Sequence, residues 1–344
     1  MFLLREARPR DKHRLLELAR LLDSINMPTT KREMEDTLRR STQSFRGRVR
    51  DRARAVYVFC AEDLDSGRLA GASMIIAKHG TPASPHYYFQ IDSDERYSHT
   101  LRRMFRHTFL RLRHSMDGPT EVGGLIVDPQ MRRLPQKIGK QLSWVRFLYI
   151  ARHRKRFESR IIAEIMPPMT PDHGNIFWDH YGRRMTGLSF READRLSIHD
   201  KEFIRALFPD APLYTALLPE EVRASLGVAG EQSRGAVRLL EQAGLRFLEQ
   251  IDPFDAGPYY GAAIADLEPV KALRSYRVVP GSVLTPSEQS ERACLVGFED
   301  RSGGFRAVQI ATAPPEGRQI VLPAEAIAAL GIKEGMTVDV IPLP

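Results

Sequence analysis

Two cysteines in 344 residues are too few, and too far apart, for a disulfide framework. Cys60 and Cys294 stand in apolar surroundings with no CxxC spacing and no histidine pair beside them, so no metal motif is visible and both are expected as reduced core thiols. Long apolar runs are also missing. The start, MFLLREARPRDK, reaches charge after four residues, and no later stretch approaches the roughly twenty needed to cross a bilayer. A cytoplasmic protein with no membrane partner is the expectation. Lysine is scarce as well: nine of the 51 basic residues, which leaves 42 arginines.

What is present is ordinary in bulk and unusual in sign. Hydrophobic content of 42% and charged content of 27% are globular values that exclude a disordered or fibrous chain, and the length calls for two lobes or more. The formal net charge is +8 and the pI near 9.6. Such a surplus suits a polyanionic partner or a phosphate-bearing co-substrate. Arginine is the side chain that forks best onto phosphate or carboxylate. Genomic base composition accounts for an arginine bias equally well.

Periodicity gives a strand at residues 2–4, then a helix over RDKHRLLELARLL with Asp11 as N-cap and Leu15, Leu18, Ala19 and Leu22 on one face. AVYVFCAEDLDSGRLAGASMIIA reads as a hairpin around Asp65-Ser66-Gly67, and a third strand follows at residues 87–91. HTLRRMFRHTFLRLRH is predicted as an amphipathic basic helix with Leu101, Met104, Phe105, Thr108 and Leu112 on its apolar face. Residues 159–165 form another strand, with Glu164 near its end. A mixed sheet with helices on both faces results. RLLEQAGLRFLEQI echoes IFWDHYGRRMTGLSF, as a duplicated unit would. From Gly281 onward, short Val and Ile runs between Gly and Pro predict a small β-rich cap.

The stretch that carries chemistry is EVGGLIVDPQMRRLPQKIGKQL, residues 121–142. A strand ends there, a basic loop follows, and a helix begins. The first amides of a helix lack internal partners and face the positive end of its dipole, so a pyrophosphate can accept from them. Arg132, Arg133, Lys137 and Lys140 would add charge-assisted contacts, and Gly139 lets backbone come close. Gly123 and Gly124 would let the strand bulge beside a ligand arm. A solvated basic loop is the competing reading of the same residues.

This order of parts resembles the GNAT acyltransferase superfamily. More closely, YVFCAEDLDSGRLAGASMI, GGLIVDP, RIIAEIM, SFREAD, KEFIRALFPDAPLYTALL, AGLRFLEQIDPFDAGP and RSYRVVP resemble the bacterial arginine N-succinyltransferase family, in the same order and over nearly the whole chain. The resemblance implies an α/β (α+β) fold: tandem GNAT-like mixed sheets flanked by helices, as an acyl-CoA-binding unit at residues 1–198, a second, partial unit at 199–280 and the β-rich cap at 281–344. It implies succinyl-CoA as co-substrate with no tightly bound cofactor, the α-amine of L-arginine as acceptor, and a homo-oligomer or a pairing with a related subunit. Leu125, with Ile126 and Val127 beside it, matches a position where that family contacts succinyl-CoA.

The chain also departs from the family. Lys137 stands where the phosphate turn has its first glycine, in a loop about two residues longer. A histidine-proline pair assigned as proton carrier is Gly230-Glu231 here, SINMP (residues 24–28) replaces another family segment, and Arg96-Tyr97 replaces a family histidine. Where many GNAT members place a thiolate-protonating tyrosine, this chain has Trp178, with Tyr181 a turn away. The candidate catalytic carboxylates are Glu231, beside the lost histidine, and Glu164; His173 is a further candidate proton carrier. Asp252 and Asp255 would either hold a cationic acceptor or cap the turn before Gly257-Pro258. The leading expectation is acyl transfer from acyl-CoA to a cationic amino acid. The alternatives are a non-catalytic or regulatory subunit-like relative and, last, a nucleic-acid-binding protein.

Overall fold

The structure is a computed structural model that describes residues 1–21, 27–82, 84–171, 174–197, 201–281, 292–312 and 317–344. β1 (Phe2–Glu6) lies antiparallel to β2 (Val56–Asp63), which turns into β3 (Leu69–Ile76). Gly67 closes that turn at φ +69°, a conformation that favours glycine, and its N–H donates to the Asp63 carbonyl at 2.7 Å. Between these strands run α1 (Lys12–Leu21) and α2 (Lys31–Phe45). Asp11 precedes α1, but its buried carboxylate is taken by the Arg5 guanidinium, 2.7 Å away.

The segment predicted as a basic helix is a strand. β4 (His86–Ser98) and β5 (Arg103–Ser115) pair along their full 13 residues. Apolar residues in this segment satisfy both a helical and a two-residue repeat, and pairing with β4 decides between them. Phe109 and Leu110, adjacent in sequence, are both buried, as in a strand covered on two faces. The nucleic-acid reading thereby loses the helix it leaned on.

The remaining strands are β6 (Thr120–Val127), β7 (Arg160–Glu164), β8 (Leu213–Tyr214), β9 (Arg246–Ile251), β10 (Pro258–Ala263), β11 (Arg274–Pro280), β12 (Arg292–Glu299), β13 (Phe305–Thr312), β14 (Gln319–Leu322) and β15 (Thr337–Pro342). They form one sheet in the order β14-β11-β15-β12-β13-β1-β2-β3-β6-β7-β10-β9-β4-β5-β8. β10 and β9 therefore lie between β7 and the β4–β5 hairpin. β1 joins the C-terminal strands through β13.

Helix α3 (Ile138–Arg152) packs across the middle of this sheet and is buried on nearly every side, which is why its sequence is apolar all round. Its Tyr149 meets Phe45, Phe59 and Phe305 at centroid distances of 5.1 to 5.5 Å in edge-on contacts. Cys60 and Cys294 are free and buried.

The two echoing segments part ways after their glycines. Gly244 (φ +102°) leads into β9, whereas Gly182 lies at the end of a helical turn, Trp178–Gly182, that continues as helix through Arg183–Thr186. Ser189 and Glu192 cap the next helix, Phe190–Ser197, reciprocally, with Ser189 N–H donating to Glu192 Oε2 at 2.8 Å. Among the described residues no helix is long and apolar enough to cross a membrane.

Candidate active site

β6 and β7 run parallel but pair only at Thr120↔Ile161 and Glu121↔Ile162. Beyond that point β6 stays with β3 as far as Val127, while β7 follows β10 to Glu164. The strands part, and a cleft of about 740 Å³ opens between them. On β6 the register with β3 slips between Gly123 and Ile126, so that Gly124 and Leu125 stand against Ser73 alone. Gly124 has φ +56°, which a glycine adopts without strain. The bulge leaves backbone groups on the cleft wall without ladder partners.

At one end of the cleft lies the start of α3. Its N-cap, Lys137, offers no side-chain acceptor to the first turn, so the leading amides lack a cap. Lys137 itself sits at φ +51°, in the left-handed region. Arg132, Lys137, Gly139 and Lys140 line this end. Arg132 Nε donates to the Val127 carbonyl at 3.2 Å, which turns the guanidinium toward the strand end, and Lys140 Nζ contacts the Pro344 carbonyl. The arrangement can hold a polyanion.

At the other end the sign reverses. Carboxylate oxygens of Glu164, Asp252 and Asp255 lie within 4.8 Å of one another. Asp252 Oδ1 accepts from Phe254 N–H at 2.7 Å, Asp255 Oδ1 accepts from Gly257 N–H at 2.7 Å, and Tyr259 Oη donates to Asp252 Oδ2 at 3.0 Å. The aspartates thus do cap the turn, and both are buried. Burial, reinforced by Asp252, Asp255 and Glu121, pushes the Glu164 carboxyl well above the usual carboxylate range. Burial and Asp252 do the same to Asp255. The Tyr259 hydroxyl is raised by burial and by Glu164 and Asp252, so it keeps its proton. This end of the cleft is lined by acidic groups that hold their protons more tightly than usual.

A family model described as arginine N-succinyltransferase beta subunit matches residues 2–269. The chain belongs to the arginine N-succinyltransferase family. The arginine N-succinyltransferase of Citrobacter koseri is 30% identical over 347 residues, covering 100% of this chain and 98% of that protein. Its counterpart in Escherichia coli is 29% identical over the same coverage. The solved structure of arginine/ornithine succinyltransferase subunit AI from Pseudomonas aeruginosa superimposes with a TM-score of 0.84 at 26% identity, covering 100% of this chain and 99% of that one. The mixed α/β architecture and the acyltransferase class follow from this membership.

Against that family frame, the cleft gathers Leu125, Ile126, Val127, Arg132, Lys137, Gly139, Lys140, Glu164 and Asp255. Asp252 stands just behind Asp255. Arg133 is exposed and absent from the lining. Glu231 lies exposed in the short turn Glu231–Ser233, while its neighbours Gln232 and Ser233 reach the cleft. Gly230 fits tightly: a Cβ there would sit 2.7 Å from the Pro167 carbonyl. Trp178 and Tyr181 are core residues, Trp178 donating to the Leu188 carbonyl at 2.9 Å. Burial pushes the Tyr181 hydroxyl up to about 12. His173 and Ser24 lie outside the described residues.

Two parts of the lining, and a tyrosine behind its carboxylates, are not evident from local sequence. The helix Arg234–Ala243 forms one wall with Gly235, Ala236 and Leu239. Tyr259 links the carboxylates. Arg146 of α3 also faces the cleft, and its only signal is one arginine inside the apolar run SWVRFLYI.

Proposed function

We propose that the cleft binds succinyl-CoA and transfers its acyl group to the α-amine of L-arginine. The parting of β6 and β7 after Glu121 and Ile162, which joins an uncapped helix start to a buried carboxylate cluster, is the observation that carries this reading. The CoA diphosphate accepts from the leading amides of α3, with Arg132, Lys137 and Lys140 around it. The pantetheine arm follows β6, and free N–H groups at the Gly124–Leu125 bulge polarise the thioester carbonyl; donors of this kind are worth about 2.7–4 kcal/mol.

The acceptor enters from the carboxylate end. Glu164, whose proton affinity burial raises, takes a proton as the carboxylate from the α-ammonium. The neutral amine attacks the carbonyl carbon, the C–N bond forms, the C–S bond breaks, and the proton that the attacking nitrogen then sheds passes to the departing CoA thiolate. Asp255 and Asp252 hold the acceptor's remaining positive charge. Family membership supports the donor and the acceptor as a pair.

The test is a thiol-release assay with purified protein. Succinyl-CoA plus L-arginine should liberate CoA with a stoichiometric N-succinyl product, and neither reagent alone should. Tight CoA binding without turnover for any amino-acid acceptor would overturn the proposal.

A further inference from the structure

We propose that Arg146 selects the donor by binding the terminal carboxylate of a dicarboxylic acyl group. The argument rests on the cleft being the acyl-CoA site. Two arginines in this structure are equally buried, at 2% exposure each: Arg5 and Arg146. Arg5 is paired with Asp11 and Glu62. Arg146 makes no ion pair among the described residues. Its Nε donates to the Ser143 carbonyl at 3.2 Å, Nη2 to Ser143 Oγ at 3.0 Å and Nη1 to the Gly123 carbonyl at 3.3 Å, all neutral acceptors. Burial alone, with no acid to offset it, pulls its pKa down to about 9.

A buried cation held by neutral acceptors alone keeps part of its desolvation penalty, and an anion would offset it. The protein supplies none, and the guanidinium lines the cleft. Its position fits an acyl tail. The phosphate end of the cleft is at Val127 and the start of α3, the carbonyl-binding bulge is at Gly124 and Leu125, and Arg146 reaches Gly123, on the far side of the bulge from the phosphates. A succinyl carboxylate lies two methylenes past the thioester carbonyl, about the rise of one to two strand residues. An acetyl or butyryl group would leave the guanidinium unpaired.

The experiment uses the full chain and two donors of equal chain length, succinyl-CoA and butyryl-CoA, with L-arginine as acceptor. Binding of unacylated CoA is titrated first. The wild-type protein should favour succinyl-CoA by about 100-fold in kcat/KM, the scale of a buried charge contact. In Arg146→Met that ratio should collapse toward one, and Arg146→Lys, which keeps the charge, should recover part of it. A purely structural role would lower both donors together and leave the ratio standing. Equal use of the two donors by a wild-type protein that binds CoA would overturn the assignment alone. Failure of CoA to bind would overturn the cleft reading and this inference with it. Should Arg146→Met not fold, Arg146→Lys still decides: a donor ratio unchanged from wild type would overturn the assignment.

Discussion

At the α3 end of the cleft the charges are cations on solvent-exposed or half-buried side chains, backed by backbone amides; at the Glu164 end they are carboxylates, a half-buried Glu164 beside two buried aspartates fastened to turn amides. In the proposed function the two ends differ because their tasks differ. Holding a diphosphate needs field strength, which exposed arginine and lysine supply without a large desolvation cost, although salt screens it. Moving a proton needs a group whose pKa has been shifted, and only burial beside other carboxylates shifts one this way. One cleft with opposite signs at its ends also orients its substrates, since a phosphorylated donor and a cationic acceptor each fit one end only.

The largest test of that contrast compares one residue from each end. Glu164→Gln should lower kcat by roughly 100- to 10,000-fold, the range for removing a general base, and leave CoA affinity nearly intact. Arg132→Ala should act mainly on the KM for the CoA donor, by about three- to tenfold, and its effect should shrink as salt is added. The pH profile sharpens the comparison. A general base at Glu164 acts as the carboxylate, so wild-type turnover should rise with pH until that group has lost its proton, and the Gln variant should lose this rising limb. If Glu164→Gln instead weakened CoA binding and kept the limb, the two ends would not divide the work as described.

A smaller effect concerns stability. The folded pKa values of Glu164 and Asp255 are raised above their unfolded values. The folded state therefore binds protons more readily at these sites. The stabilisation this provides is fully present below the ordinary carboxylate range, near pH 4, and is lost as pH rises through the raised folded values. Glu121 runs the other way: burial raises it, but the His79 charge and hydrogen bond prevail and leave it lowered, so its contribution disappears on acidification. The useful quantity is thus a difference. Glu164→Gln should gain stability over wild type by about 1–3 kcal/mol at neutral pH and lose that gain near pH 4, as read by denaturant midpoints across the range. A pH-independent difference would mean that Glu164 is not held protonated by its surroundings.

How much of this could be read beforehand also divides along the cleft. The donor end is local: two glycines, Asp-Pro, a basic loop and a helix start lie within residues 121–142, and a local pattern is what a sequence displays. The acceptor end is assembled from afar. Glu164 closes one strand, Asp252 and Asp255 belong to a turn about ninety residues later, and Tyr259 returns on β10 beside Glu164. IDPFDAGP marked the turn, but nothing local showed which strand it would meet. The β5 segment looks helical for a related reason, because its pairing with β4, not its own periodicity, sets its conformation. Glu231 is a candidate only by its place in the sequence. The short turn that holds it sends Gln232 and Ser233 to the cleft and the glutamate to solvent.

The smallest expected effect isolates the one strained residue at the donor end. Lys137 occupies a left-handed conformation that glycine adopts without strain, and a non-glycine residue there costs on the order of 1 kcal/mol. Lys137→Gly should remove that strain, against which a glycine's greater unfolded-state entropy works in part. The protein should therefore gain a few tenths to about 1 kcal/mol in denaturant midpoint. CoA binding should move in the opposite direction, weakening severalfold with the loss of one cation from the phosphate end. Opposite signs for stability and binding would show that the strain is retained because its side chain meets the ligand. A gain in both would show that the backbone amides alone hold the diphosphate, and that the lysine is only tolerated in a turn built for glycine.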